Sequence, residues 1–149
     1  MLTDAVRDFL LKQRLGYVAT VSAGGTPNLS PKGTILVWDE NHLVFANIRS
    51  PQTVANLQSN PRLEINVVDP LSRRGYRFRG VGHVLEKGDL CEKILSFYRE
   101  LGIKSEILDI VLVSVDRTDE VTSPLYDMGM SEEQIRKAWK ERLLSDSTS

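Results

Sequence analysis

Three short stretches carry side chains that could hold an anion. In Ser50-Pro51-Gln52-Thr53, proline directly after serine marks the start of a helix. The first turn of a helix exposes unpaired backbone N–H groups and the positive end of the helix dipole, and Ser50 and Thr53 add hydroxyl donors, a set suited to phosphate. In Ser30-Pro31-Lys32-Gly33-Thr34, Lys32 is a mobile cation, Gly33 permits close approach to the backbone and Thr34 can bond a polar edge. The third stretch, Ser72 to Gly80, interleaves Arg73, Arg74, Arg77 and Arg79 with Tyr76 and Phe78. Read as a strand, it puts Arg77 and Arg79 on one face with Gly75, and Arg74, Tyr76 and Phe78 on the other. Neighbouring guanidiniums repel, so an anion or an acidic partner is expected opposite them. Each stretch also has a plain structural reading: a helix start, a bulge at a strand corner, and a solvated, salt-bridged strand face.

Other chemistries lack the residues they need. His42 and His83 have no third ligand at metal spacing, so no metal site is expected. The single cysteine, Cys91, can form neither an intrachain disulfide nor a zinc cage and reads as packing. No nucleophile elbow, Walker loop or dinucleotide glycine fingerprint occurs, and sequence motifs name no catalytic residue. Lysine plus arginine (19) against aspartate plus glutamate (20) leaves a net charge of −1 over 149 residues, so no global field recruits nucleic acid or an anionic membrane. The apolar stretch from Ile107 to Val115 is broken by Asp109, far short of a membrane helix, and Asp4, Arg7, Asp8 and Lys12 interrupt the N-terminus where a signal peptide would be apolar. The expectation is one cytoplasmic domain over residues 1–144 with a frayed tail at 145–149.

The elements that must position these stretches follow from periodicity. Leu2, Val6, Phe9 and Leu10 fall at helical spacing behind a Thr3 cap, and Tyr17 to Ser22 then alternates as a first strand before the Ala23 to Pro27 turn. Thr34 to Trp38 and Leu43 to Asn47 read as the second and third strands, followed by the short helix from Pro51 to Asn60. Arg62 to Val68 and Tyr76 to Leu85 are the fourth and fifth strands. Leu90, Ile94, Phe97, Tyr98 and Leu101 form a helical stripe, and Ile110 to Val115 is a sixth strand. Arg117 to Met130 shows no period and is read as a binding loop or interface arm. Ser131 and Gln134 then make a capping box for a helix with Ile135, Ala138, Trp139 and Leu143 on one face. The expected fold is mainly β: six antiparallel strands closing into a small barrel with peripheral helices.

In order and in residues the chain resembles the FMN-binding split-barrel family related to pyridoxamine 5′-phosphate oxidase. The resemblance is carried by Leu15 to Val21, Pro27 to Gly33, Leu43 to Asn47, Ser50 to Leu57, Asn60-Pro61-Arg62 and Arg79 to Gly82. It implies a homodimer with FMN in the clefts between subunits, each cleft built from both chains. Carried over residue by residue, the implied cofactor-binding positions are Lys32, Gly33, Thr34, Asn47, Ser50, Gln52 and Thr53, with Arg74, Tyr76 and Arg77 reaching the flavin from the partner subunit. Position 53 is threonine where the oxidase has a phosphate-binding lysine, so Lys32, Arg49 or an arginine of the fifth strand must supply the missing charge. The oxidase's C-terminal tryptophan and arginine/histidine cluster has no counterpart in Val121 to Asp127, which separates the implied flavin site from that enzyme's substrate site. The resemblance thus implies a flavin-dependent oxidoreductase acting on an unidentified small molecule. The alternatives it leaves are a flavin carrier or sensor, the same fold holding a deazaflavin or haem, and an interaction domain with an empty cleft.

Overall fold

The computed structural model describes residues 1–146; positions 147–149, and with them most of the expected tail, lie outside the described residues. Helix α1 (Asp4–Gln13) is followed by β1 (Gly16–Val21), β2 (Pro27–Lys32), β3 (Leu36–Val37) and β4 (His42–Asn47). Then come α2 (Pro51–Ser59), β5 (Arg62–Val68), β6 (Gly75–Val84), α3 (Asp89–Glu100), β7 (Asp109–Val121), α4 (Pro124–Asp127) and α5 (Glu132–Asp146). The strands form one antiparallel sheet in the order β2-β1-β5-β6-β7-β4-β3, curled into a split barrel with helices packed around it. β2 and β3 are its edges, joined by the short connection Gly33 to Ile35.

Seven strands replace the six expected. The added one is β2, whose Pro27 reads as the end of a turn and whose Pro31 reads as part of a strand-corner bulge; prolines are tolerated because β2 is an edge strand, with β1 on one side only. The expected second strand over 34–38 shrinks to the two residues of β3. The unpatterned stretch after Asp116 is instead strand as far as Val121, because each residue from Arg117 to Val121 pairs with β6. A register shift at Arg79/Gly80 skips Asp116, and a Cβ on Gly80 would run into the Ser114 carbonyl, so this bulge requires glycine.

Burial explains the element pattern. The inner core joins Leu2, Val6 and Leu10 of α1 to Val18, Phe45, Ile65, Val67, Phe78 and Val111. A second core lies under α3, where Ile94 and Tyr98 meet Leu36, Val44, Ala46 and Ile110. Strands β3, β4 and the start of β7 are therefore covered on both faces, which is why Leu43 to Ala46 is apolar without alternation. The expected caps are present. Thr3 Oγ1 accepts the Val6 N–H at 3.3 Å, and in the capping box the Gln134 N–H donates to Ser131 Oγ while the Ser131 N–H donates to Gln134 Oε1. No helix among the described residues is long and apolar enough to cross a membrane.

Candidate functional site

The antiparallel pairing of β1 with β2 puts Asn28, Ser30 and Lys32 on the inner face of the edge strand, aimed at the start of α2. There Ser50 occupies the N-cap position, but its hydroxyl makes no cap bond. It is turned instead to β2, where Lys32 Nζ donates to it and Ser30 Oγ lies 3.2 Å away. Three residues upstream, Asn47 Oδ1 accepts the Ser50 N–H at 2.7 Å. The first turn of α2 is thus left without a side-chain cap from Ser50.

Lys32 is only 6% exposed, and among the described residues no carboxylate pairs with it. Burial lowers its ammonium below the ordinary lysine value. A buried cation bonded to a serine hydroxyl and to no carboxylate is an incomplete electrostatic arrangement, which an anion at that point would complete. Beside it a cleft of about 260 Å³ runs between Ser30 to Thr34 and Ala46 to Ser50, with Arg49 at its exposed rim. A Cβ on Gly33 would meet nothing within 4 Å, so the missing side chain leaves open room. Thr34 is fixed from both sides: its Oγ1 accepts the Ala46 N–H at 2.9 Å, and Tyr98 donates its hydroxyl to the Thr34 carbonyl at 2.8 Å. Burial pushes the Tyr98 hydroxyl up, which keeps it a donor.

Of the residues nominated by sequence, Lys32, Gly33, Thr34 and Ser50 line this cleft, and Asn47 supports it from behind. Thr53 is buried against Asn28, whose Nδ2 lies 3.5 Å from its hydroxyl, and Gln52 bonds Asn56 along the helix. Both stand in the first turn of α2, outside the lining. Ser30 and Asp109 were not nominated although both belong to the cluster. Ser30 could have been found from its alternation with Lys32, whereas Asp109 meets Asn47 only through the pairing of β4 with β7.

Arg74 and Tyr76 lie elsewhere, lining a second cleft of about 190 Å³ with Phe9, Glu120, Glu132 and Arg136. Here the cations are matched. Arg136 reaches Asp69 at 2.7 Å, Arg74 approaches Glu132 at 3.7 Å, and Arg74 and Arg73 lie over the rings of Tyr126 and Trp139. Arg77 is on the outer face of the sheet, 3.9 Å from Asp119, and Arg79 pairs with Glu64 at 2.7 Å, so the acidic partners expected opposite these arginines are present. Among the described residues no group of three or more metal-type ligands occurs.

Comparison with known proteins settles the family. The sequence model for pyridoxamine 5′-phosphate oxidase matches residues 2–113, which contain the whole Lys32–Ser50 cleft. The chain belongs to the pyridoxamine 5′-phosphate oxidase family. A search of the curated proteins finds no match. Among solved structures, HupZ of Group A Streptococcus is 29% identical and superposes over 83% of this chain and 96% of its own with a TM-score of 0.74. An FMN-binding protein from Syntrophomonas wolfei is 14% identical over 82% and 87% of the two chains with a TM-score of 0.70. An F420 reductase is 20% identical over 78% and 98% with a TM-score of 0.60. The latter two show the shared fold alone.

Proposed function

We propose that this protein binds FMN in the Lys32–Ser50 cleft and is a flavin-dependent oxidoreductase acting on a small molecule. The observation that carries the reading is the buried, carboxylate-free Lys32 beside the open end of α2. Lys32, Ser30, Ser50 and the α2 amides would hold the phosphate, with Arg49 closing the rim and Gly33–Thr34 lying along the rest of the cofactor. When bound, the flavin supplies the hydride or electron chemistry. The chain's own task is binding and orientation, which accounts for the lack of an acid–base dyad in its motifs.

The cleft of one chain is small for such a ligand, since pockets for cofactor-sized molecules run from about 300 to 1,000 Å³. A second copy of the chain would complete it. The outer face of β1 and β2 supports that reading, because Tyr17, Ala19, Val21, Pro27, Leu29 and Pro31 make an apolar stripe bordering the cleft, with Leu29 66% exposed and Tyr17 45%. In such a dimer Arg74, Tyr76 or Arg77 would be the partner's contribution to the flavin.

The test is size-exclusion chromatography of protein saturated with FMN and freed of excess ligand, recorded at protein and flavin wavelengths. The expected result is flavin absorbance of about one per chain co-eluting at dimer mass. A colourless peak overturns the FMN reading, and a flavin-bearing monomer overturns the shared cleft. Rapid reduction of bound flavin by a nicotinamide cofactor in stopped flow would favour an oxidoreductase over a carrier.

A further inference from the structure

We propose that Asp109 is a positioning residue for the Lys32–Ser50 cleft, setting the orientation of the Asn47 amide and thereby fixing the backbone of Ser50, whose hydroxyl lies against Lys32. Asn47 is the last residue of β4 and Asp109 the first of β7, and the two are register partners, so their side chains share one face of the sheet. Asn47 Nδ2 donates to Asp109 Oδ2 at 2.7 Å, while Asn47 Oδ1 accepts the Ser50 N–H at 2.7 Å.

An asparagine amide can present either end to a neighbour, and here the neighbour decides. An ionised carboxylate only accepts, so Asp109 must face the NH₂ end. The carbonyl end is then left for the Ser50 N–H. Flipping the amide would set two acceptors together at Asp109 and two donors together at Ser50, losing both bonds at once. With its own N–H held from upstream, Ser50 starts α2 while its hydroxyl lies against Lys32 and Ser30. The chain of contacts runs from the carboxylate on β7, through β4, to the cation on β2, and it ties the first turn of α2 to two strands that α2 itself does not pair with.

The proposal rests on the reading of this cleft as the phosphate site, and the experiment separates the two. Hydrogen exchange at the Ser50 amide, followed by NMR in ligand-free protein, is compared with titration by FMN and by riboflavin. For Asp109→Ala, Ser50 exchange should rise about tenfold and FMN affinity fall about tenfold, the size of one lost hydrogen bond, with riboflavin affinity within about twofold of the parent. The exchanged pair N47D with D109N restores a donor facing an acceptor and should return Ser50 protection to within about threefold, which also serves if Asp109→Ala does not fold. Unchanged Ser50 protection in Asp109→Ala overturns the proposal, as does failure of the exchanged pair to restore it or an equal loss of FMN and riboflavin. If the parent binds no FMN, the cofactor reading fails, and Ser50 exchange still decides the role of Asp109.

Discussion

The two clefts have similar size and both contain basic side chains, yet they differ in what surrounds the charge. Around Arg74 and Arg136 every cation has a carboxylate or an aromatic ring, and the buried Asp69 also accepts the Leu71 N–H at 2.9 Å. Around Lys32 stand the Ser50 and Ser30 hydroxyls and an uncapped helix start, and among the described residues no carboxylate pairs with it. The first arrangement fastens α5 to the turn before β6 and, among the described residues, leaves only the buried Arg73 Nε without a hydrogen bond, whereas the second gains most from something added. Arginine density in the sequence therefore marked the closed site more loudly than the open one.

The largest effect that would break this contrast is expected at Asp69. Burial alone would raise its carboxyl, but the Leu71 N–H, the Ser72 hydroxyl and Arg136 outweigh burial and hold it below the ordinary aspartate value. Its stabilising contribution is thus present above the unfolded value of 3.8 and is lost as pH falls through the depressed native value. Asp69→Ala should cost about 2–3 kcal/mol, below the figure for a fully buried pair because Arg136 keeps 37% of its side-chain exposure. Acid unfolding of the variant followed by circular dichroism should show a shallower limb, while FMN affinity stays within about twofold. A tenfold loss of FMN would mean the two clefts are energetically one.

Lys32→Met is expected to split binding from stability. FMN should weaken about 10- to 100-fold in a fluorescence titration and riboflavin much less, as suits loss of a charge-assisted phosphate contact. Burial has lowered the lysine, so its charged form opposes folding at neutral pH, and that opposition fades as pH rises through its native value. The ligand-free variant should therefore melt about 2–4 °C higher at pH 7. A lower melting temperature would show that the hydroxyls already satisfy the ammonium.

The smallest effect is expected at Arg74, whose side chain is half exposed. Arg74→Ala should leave the melting temperature unchanged within error. A selective loss of FMN affinity in the dimer would sharpen the comparison, by showing that a side chain paired within its own subunit also serves the partner's cleft.

What the sequence made legible were features that act locally. The Thr3 cap, the Ser131–Gln134 capping box, the Ser50–Pro51 helix start and the alternation of β1, β5 and β6 each depend on residues within a turn or a strand of one another. β2 was hidden because its prolines are excluded only from strands paired on both sides, and edge position is a property of the whole sheet. The second half of β7 was hidden for a related reason. Asp119 and Glu120 belong in a strand because Arg77 and Tyr76 lie opposite, a fact of register that no window of β7 contains. In the cleft, Lys32 and Ser50 were visible as residue types, but the hold on the Ser50 N–H runs through Asn47 to Asp109, 62 positions apart.

The bulge at Asp116 bears on how this chain can change over evolutionary time. β7 is 13 residues long, about 40 Å of extended chain, with Asp109 beneath one cleft and Val121 lining the other. A residue inserted elsewhere along it would turn every side chain beyond the insertion to the opposite face and ruin one end or the other. At Asp116 the ladder already accommodates one surplus residue, so lineages that gain or lose an amino acid in this strand should do so there, and the two ends can then diversify independently.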